Sequence, residues 1–247
     1  MRKRAIGVIA VPVLLITALV IADSAVRNVA SERIGTELRG AFRLAPSAPL
    51  NVDVQGFSML LQLAQQRLDR VEVHADTVTF DGLTGSATLT ATGVSLDAAA
   101  SVSRLSLEFG LNAQQLSTLS AGLSELSVRS VALAEPNIVV TAPLTVLGIS
   151  VPLDVAIRPQ AAAGALLLTP GTVSVAGIAL PAAQLSKQFG AGARAALATR
   201  TVCVAKYLPA VLRLTDAEVR SGKLVLTLAG NRVTLNAATL SALGSCR

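Results

Sequence analysis

Aromatic side chains are nearly missing from this chain: they make up 2% of its 247 residues, with no Trp, one Tyr and five Phe. Sugar clefts and single-strand nucleic-acid platforms depend on aromatic stacking, so the shortage argues against both. Histidine is almost absent too. His74 is the only one, set among charged neighbours. One His cannot supply a usual metal-ligand set, and a Ser-His-Asp triad would have to be built on that single residue. No G-x-S-x-G elbow, P-loop or N-x-S/T acceptor occurs. Gly190-Ala191-Gly192-Ala193-Arg194-Ala195 imitates a dinucleotide fingerprint, but Leu185–Phe189 before it reads as helix rather than strand, so it is read as a helix break. The carboxylate pairs Asp216/Glu218 and Asp69/Glu72 read as solvated surface charge. With no nucleophile in sight, the chain is expected not to be an enzyme and to carry no metal or cofactor.

What is present is aliphatic: 52% of the residues are hydrophobic, mostly Leu, Val, Ile and Ala. Met1-Arg2-Lys3-Arg4 is followed by an uncharged run from Ala5 to Ala22, and then Asp23. That order is the layout of a secretory signal or an uncleaved anchor. A run of 18 residues is at the lower limit for spanning a ~30 Å hydrocarbon core. The leading cations keep the N-terminus in the cytoplasm. Val20-Ile21-Ala22 marks a cleavage position after Ala22, and no Cys lies nearby to carry a lipid. Residues 1–23 are thus expected as signal or anchor, and 24–247 as one domain outside the cytoplasm, in the cell envelope or secreted. Export removes the chain from nucleic acid.

Charge divides unevenly: 8 bases against 11 acids from Ser24 to Val140, then 10 against 3 from Thr141 to Arg247. A basic half suits either solvation or an anionic membrane surface. Cys203 and Cys246, the only cysteines, can persist as a disulfide in an exported chain, or remain as two buried thiols.

Asp23 to Leu44 repeats apolar residues every three or four places, which predicts an amphipathic helix. Ala45-Pro46-Ser47-Ala48-Pro49 ends it. From Leu50 the period becomes two. Val71, Val73 and Ala75 alternate with polar neighbours, and Ala87–Ala91, Leu105–Leu111, Ile149–Ile157 and Leu224–Leu228 keep the same period, with Gly110, Pro152, Ala156 and Val225 among the intervening residues. Clean alternation predicts antiparallel strands with one apolar face. Asp81-Gly82, Ser221-Gly222 and Gly230-Asn231 are turn signals, and Pro152 suggests an edge or a bulge. Short helices are predicted over Ser58–Leu68, Ala113–Leu123 and Pro181–Ala198. The fold class is α+β. On the residues alone, a filled core is the simpler fate for the apolar faces; an adaptor protein recruiting envelope enzymes would need no more.

Asn51-Val52-Asp53-Val54-Gln55-Gly56-Phe57-Ser58-Met59-Leu60-Leu61-Gln62-Leu63 is distinctive, with Val71-Glu72-Val73 after it. This stretch, together with Ala217–Leu226 and the order of N-terminal segment and helix, resembles the actinobacterial LmeA-like phospholipid-binding family. Ser58 and Met59 stand where that family often has Pro and a second aromatic. The resemblance implies a tubular lipid-binding (BPI/TULIP-like) architecture, a long curved antiparallel sheet wrapped around helices and an apolar channel. It implies a bound phospholipid as ligand, a membrane-surface partner, and support of envelope lipid or lipoglycan (mannan) maintenance alongside glycan-assembly enzymes. On that footing the expected channel lining is Val71, Val73, Leu105, Leu107, Phe109, Val151, Leu153 and Val155. Phe57, Leu60 and Leu61 are the expected helical cover, and Arg194, Arg200 and Lys206 the expected headgroup contacts.

Overall fold

The computed structural model describes residues 21–36, 38–39, 49–80, 83–97, 101–123, 128–146, 149–175, 177–188, 197–207, 209–234, 239 and 242–246. Most of the expected export segment, most of the 45–49 linker, the Asp81-Gly82 turn and Arg194 lie outside them. Helix α1 covers residues 21–36. It is followed by β1 (Leu50–Gln55), α2 (Met59–Ala64), β2 (Arg67–Phe80), β3 (Leu83–Ser95), β4 (Ser101–Leu111) and α3 (Ala113–Leu123). Then come β5 (Ser130–Ala134), β6 (Asn137–Val146), β7 (Ile149–Ala162), β8 (Ala165–Val175), β9 (Ile178–Pro181) and α4 (Ala182–Gln188). The chain closes with β10 (Arg200–Cys203), a 3-10 turn (Ala205–Tyr207), β11 (Arg213–Arg220) and β12 (Lys223–Thr234).

The strands form two open antiparallel sheets. The first runs β1-β2-β3-β4-β12-β11, and the second β10-β8-β7-β6-β5 with β9 also on β8. Pairing brings the alternating apolar positions into rows. Val54, Val71, Ala91 and Leu105 stand side by side, as do Val52, Val73, Leu89, Leu107 and Leu228. One face of the first sheet is therefore aliphatic from edge to edge.

Two covers bury that face. Val26, Ala30, Ile34 and Leu38 of the first helical segment pack on Val54, Leu68, Val71 and Val73. Val131, Leu133, Ile138, Val140, Ala161, Leu166 and Leu168 of the second sheet pack with Leu105, Phe109, Leu214 and Leu226. Each such aliphatic side chain contributes about 1.5–3 kcal/mol on full burial. Leu116 of α3 joins the same cluster. That helix is opened by a reciprocal cap: Asn112 Oδ1 accepts from Gln115 N at 2.9 Å, and Gln115 Oε1 from Asn112 N at 2.8 Å.

The alternation has one shared break. The inward positions step by three rather than two between Leu68 and Val71, Ala91 and Val94, Val102 and Leu105, and Gly230 and Val233. These positions pair across the sheet, Leu68 with Val94, Val94 with Val102 and Val102 with Val233, so the step forms a line over four strands. Gly93 (φ 63°) and Arg232 (φ 51°) take the left-handed conformation on that line. A Cβ on Gly93 would also run into the Arg67 guanidinium and the Ser103 hydroxyl. Such a departure from the pleat bends and twists a sheet.

One expectation needs correction. Gly230-Asn231 is not a turn but lies within β12, opposite Leu105 and Arg104. Gly230 is there because the Val211 carbonyl comes too close for a Cβ. The helix expected over Pro181–Ala198 is present as Ala182–Gln188, and residues 189–196 lie outside the described ones. Elsewhere Ser221-Gly222 does turn β11 into β12, with φ of 50° and 69°. Pro152 faces Pro143 one place beyond the β7–β8 ladder, where its missing N–H breaks no bond to β8.

Cys203 and Cys246 are joined as a disulfide, with Cα atoms 5.8 Å apart. At the other end, α1 is clamped to the corner between β1 and α2. Asp23 Oδ1 accepts from Ser58 Oγ at 2.7 Å and from Leu60 N at 3.0 Å. Arg27 donates to the Val54 carbonyl at 2.5 Å and the Gly56 carbonyl at 3.0 Å, and pairs with Asp23 at 3.3 Å. The Leu60 N–H, then the Ser58 hydroxyl and Arg27, hold the Asp23 carboxyl below its ordinary value of 3.8.

A depressed carboxyl stabilises the fold above its unfolded-state pKa, and that contribution disappears as pH falls through the folded-state value. Asp23→Asn is therefore expected to lower the urea midpoint at pH 7, with the gap to wild type closing below pH 3.8. A gap of equal size at pH 2 would mean that charge is not what holds the corner. Cys203→Ser is expected to cost about 4 kcal/mol in denaturant unfolding, from the loop released. Reductant should then affect the wild type and leave the variant unchanged.

Candidate functional site

The eleven expected lipid contacts separate into three environments. Val71, Val73, Leu105, Leu107 and Phe109 are neighbours on the inward face of the first sheet. Val71 (7% exposed) and Val73 (8%) are buried under α1, and Leu105 (4%) and Phe109 (6%) are buried in the cluster shared with the second sheet, against which Leu107 packs. Helix α1 and the second sheet press on this face, so these five belong to a packed core.

Phe57, Leu60 and Leu61 do not cover the sheet. Phe57 is 95% exposed and Leu61 50%, with Leu60 half-buried. A six-residue helix buries one stripe only, and in α2 the stripe is Met59 and Gln62. Gln62 is in the core for its amide: Oε1 accepts from Asp69 N at 2.8 Å and joins α2 to the start of β2.

Val151, Leu153 and Val155 make the third group, on β7. Ala142 pairs with Leu153, Val175 with Leu153 and Val173 with Val155. Leu180 pairs with Val173 and Ile178 with Val175. Paired residues point to the same side, so these positions form an aliphatic band across β6, β7, β8 and β9. Val173 is buried, Ile178 is 68% exposed, and the rest are half-buried. None belongs to either core cluster. Helix α4 lies against β8 and β9. Sequence reasoning missed Val173, Val175, Ile178 and Leu180, although Val173-x-Val175 and Ile178-x-Leu180 alternate on either side of Gly177.

The described basic candidates lie along the β8 edge, beyond the end of the band. Strands β9 and β10 run end to end along one edge of β8. Pro181 pairs with Thr172 and Arg200 with Leu168, so Arg200 lies four residues, roughly 13 Å, along that edge from the end of β9. Lys206 is exposed and farther from the band, in the 3-10 turn after Cys203, which pairs with Ala165 at the opposite end of β8 from Val173 and Val175. The disulfide fixes this segment to the chain end.

The remaining charged candidates are surface groups. His74 is exposed, its ring nitrogens 2.9 Å from Thr88 Oγ1 and 3.2 Å from Asp76 Oδ1. Glu218 pairs with Arg220 at 3.1 Å, and Glu72 with Arg70 at 3.3 Å. Two shallow surface concavities of about 360 and 260 Å³ are lined by Val29, Glu32, Arg33 and Thr36, and by Pro49, Leu50, Asn51, His74 and Asp76. Neither touches the aliphatic band.

A family model described as LmeA-like phospholipid-binding matches residues 21–229. No curated protein and no solved structure matches the chain.

The two aliphatic faces are expected to respond differently to charge. Leu107→Arg buries a cation in the packed core and should destabilise the fold by at least about 3 kcal/mol in urea unfolding. Leu153→Arg should leave the unfolding midpoint near wild type and reduce phospholipid uptake at least about tenfold. Equal uptake by wild type and Leu153→Arg would remove the band from consideration.

Proposed function

The chain belongs to the LmeA-like phospholipid-binding family, and we propose that it is a non-catalytic phospholipid holder of the bacterial cell envelope. Acyl chain lies along the band of Val151, Leu153, Val155, Val173, Val175 and Leu180, and Arg200, farther along the β8 edge, meets the headgroup phosphate. The observation that carries this reading is the band itself, an aliphatic surface that belongs to neither core cluster. Transfer of acyl chain from water gains about 0.8 kcal/mol per buried CH₂. A chain of about 16 carbons has affinity in excess of the ordering losses of binding. A guanidinium suits a phosphate because its planar fork can donate two hydrogen bonds at once.

The envelope setting comes from the basic-apolar-polar order of residues 1–23. In this reading the tubular architecture is completed around the second sheet, and the bound lipid serves envelope lipid or lipoglycan maintenance beside glycan-assembly enzymes. The packed face of the first sheet favours a second reading, an envelope adaptor with a filled core and no lipid.

Native mass spectrometry of the chain from residue 21 on, purified without detergent and followed by solvent extraction, separates the two. One phospholipid per chain is the expected result. A mass that stays free of lipid after incubation with envelope lipid would overturn the proposal and leave the adaptor reading.

A further inference from the structure

The first sheet ends in an apolar tip that neither core cluster uses. At this end β1 stops at Gln55, α2 crosses, β2 starts at Arg67, and β3 stops at Ser95. Along α2 and the corners beside it, Ile21 (62%), Phe57 (95%), Leu61 (50%), Leu63 (39%) and Leu96 (46%) are exposed. The Leu96 N–H donates to the Gln66 carbonyl at 2.9 Å, which ties the β3 corner to the end of α2. In a chain with 2% aromatics, a phenylalanine held almost fully in water stands out. A phenylalanine core at Phe109 shows that the fold can bury one when it needs to.

Two further observations identify what meets the tip. The first is the chain's own path. The uncharged run Ala5–Ala22 leads into α1, and Asp23 fastens the start of α1 to Ser58 and Leu60, inside the tip. The second is charge. The Arg67 guanidinium donates to Ser103 Oγ at 3.2 Å, on the outer face beside the tip. Arg104 is the next residue on that strand, and its pairing partner Asn231 is followed by Arg232. All three arginines are exposed. Asp69 and Asp97 are exposed nearby, and Arg70 is engaged with Glu72.

We propose that this end docks on an anionic bilayer, with Phe57 and Leu61 entering the headgroup–acyl boundary and Arg67, Arg104 and Arg232 facing the headgroups. Aromatic and leucine side chains favour that boundary, and each cation near an anionic surface adds attraction that salt screens. The surface shares only its envelope setting with the proposed function; it does not require a lipid on the second sheet.

The chain lacks tryptophan, so Phe57→Trp introduces a sole reporter at an exposed position. The full chain carrying Phe57→Trp, and separately Leu243→Trp at a 62% exposed position, is incorporated into phosphatidylglycerol/phosphatidylcholine vesicles with brominated acyl chains. The expected result is blue-shifted, bromine-quenched emission from position 57 and water-like emission from position 243. Phe57→Asp with Leu61→Asp should lower partition to these vesicles at least about tenfold. Arg67→Glu with Arg104→Glu should lower it on phosphatidylglycerol vesicles and not on pure phosphatidylcholine. Water-like emission at 57, or equal quenching at 57 and 243, overturns the proposal. Lipid-free chain in native mass spectrometry together with quenching at 57 would defeat the holder reading and leave the docking tip standing.

Discussion

An aliphatic sheet face six strands wide has to be covered, and most of the architecture follows from that need. Water contact along the face would be costly, and the chain has almost no aromatic bulk with which to close it. It uses two covers instead. Residues of the first helical segment lie over β1 and β2, and the second sheet lies over β4, β11 and β12. Leu50, Leu89 and Val94 touch both clusters, so the covers meet over the middle of the sheet. The Asp23–Arg27 clamp sets where the helical cover starts. The Ser221 N–H, bonded to Glu135, joins the β11–β12 turn to the β5–β6 turn of the other sheet.

Much of this was legible in the residues. Period two marked the strands containing Val71, Ala87, Leu105, Ile149 and Leu224, and period 3.6 marked α1 and α3, because each period records one buried side. The open, two-sheet arrangement was not legible, since alternation says which side is buried and not by what. The line through Gly93 and Arg232 was hidden for a related reason. It needs four strands to be aligned before the step of three becomes visible, and each strand alone reads as a small irregularity. Gly230-Asn231 misled because a glycine needed for close approach has the same letter as one needed for a turn.

The expected lipid contacts show the same limit. Val71, Leu105 and Leu153 are indistinguishable by pattern, each an aliphatic residue in a period-two run. The fold gives the first two to a packed core and leaves the third in the band outside it. The family resemblance implies Phe57 as part of a cover, yet α2 buries only Met59 and Gln62. The chain thus separates what holds it together, the apolar residues between the first sheet and its two covers, from what it presents at the tip and along the second sheet. The basic C-terminal half supplies Arg200 on the β8 edge beyond the band and Arg232 near the tip.

The step shared by β2, β3, β4 and β12 makes these strands index one another. Leu68, Val94, Val102 and Val233 face inward on one side of the line because each strand reaches it at the same count. A residue inserted within one of the four would turn part of that strand inside out while its neighbours stayed in place. The strands therefore behave as a set of matched lengths. Variation in chain length among related sequences belongs in the connections between them, where it leaves the count untouched.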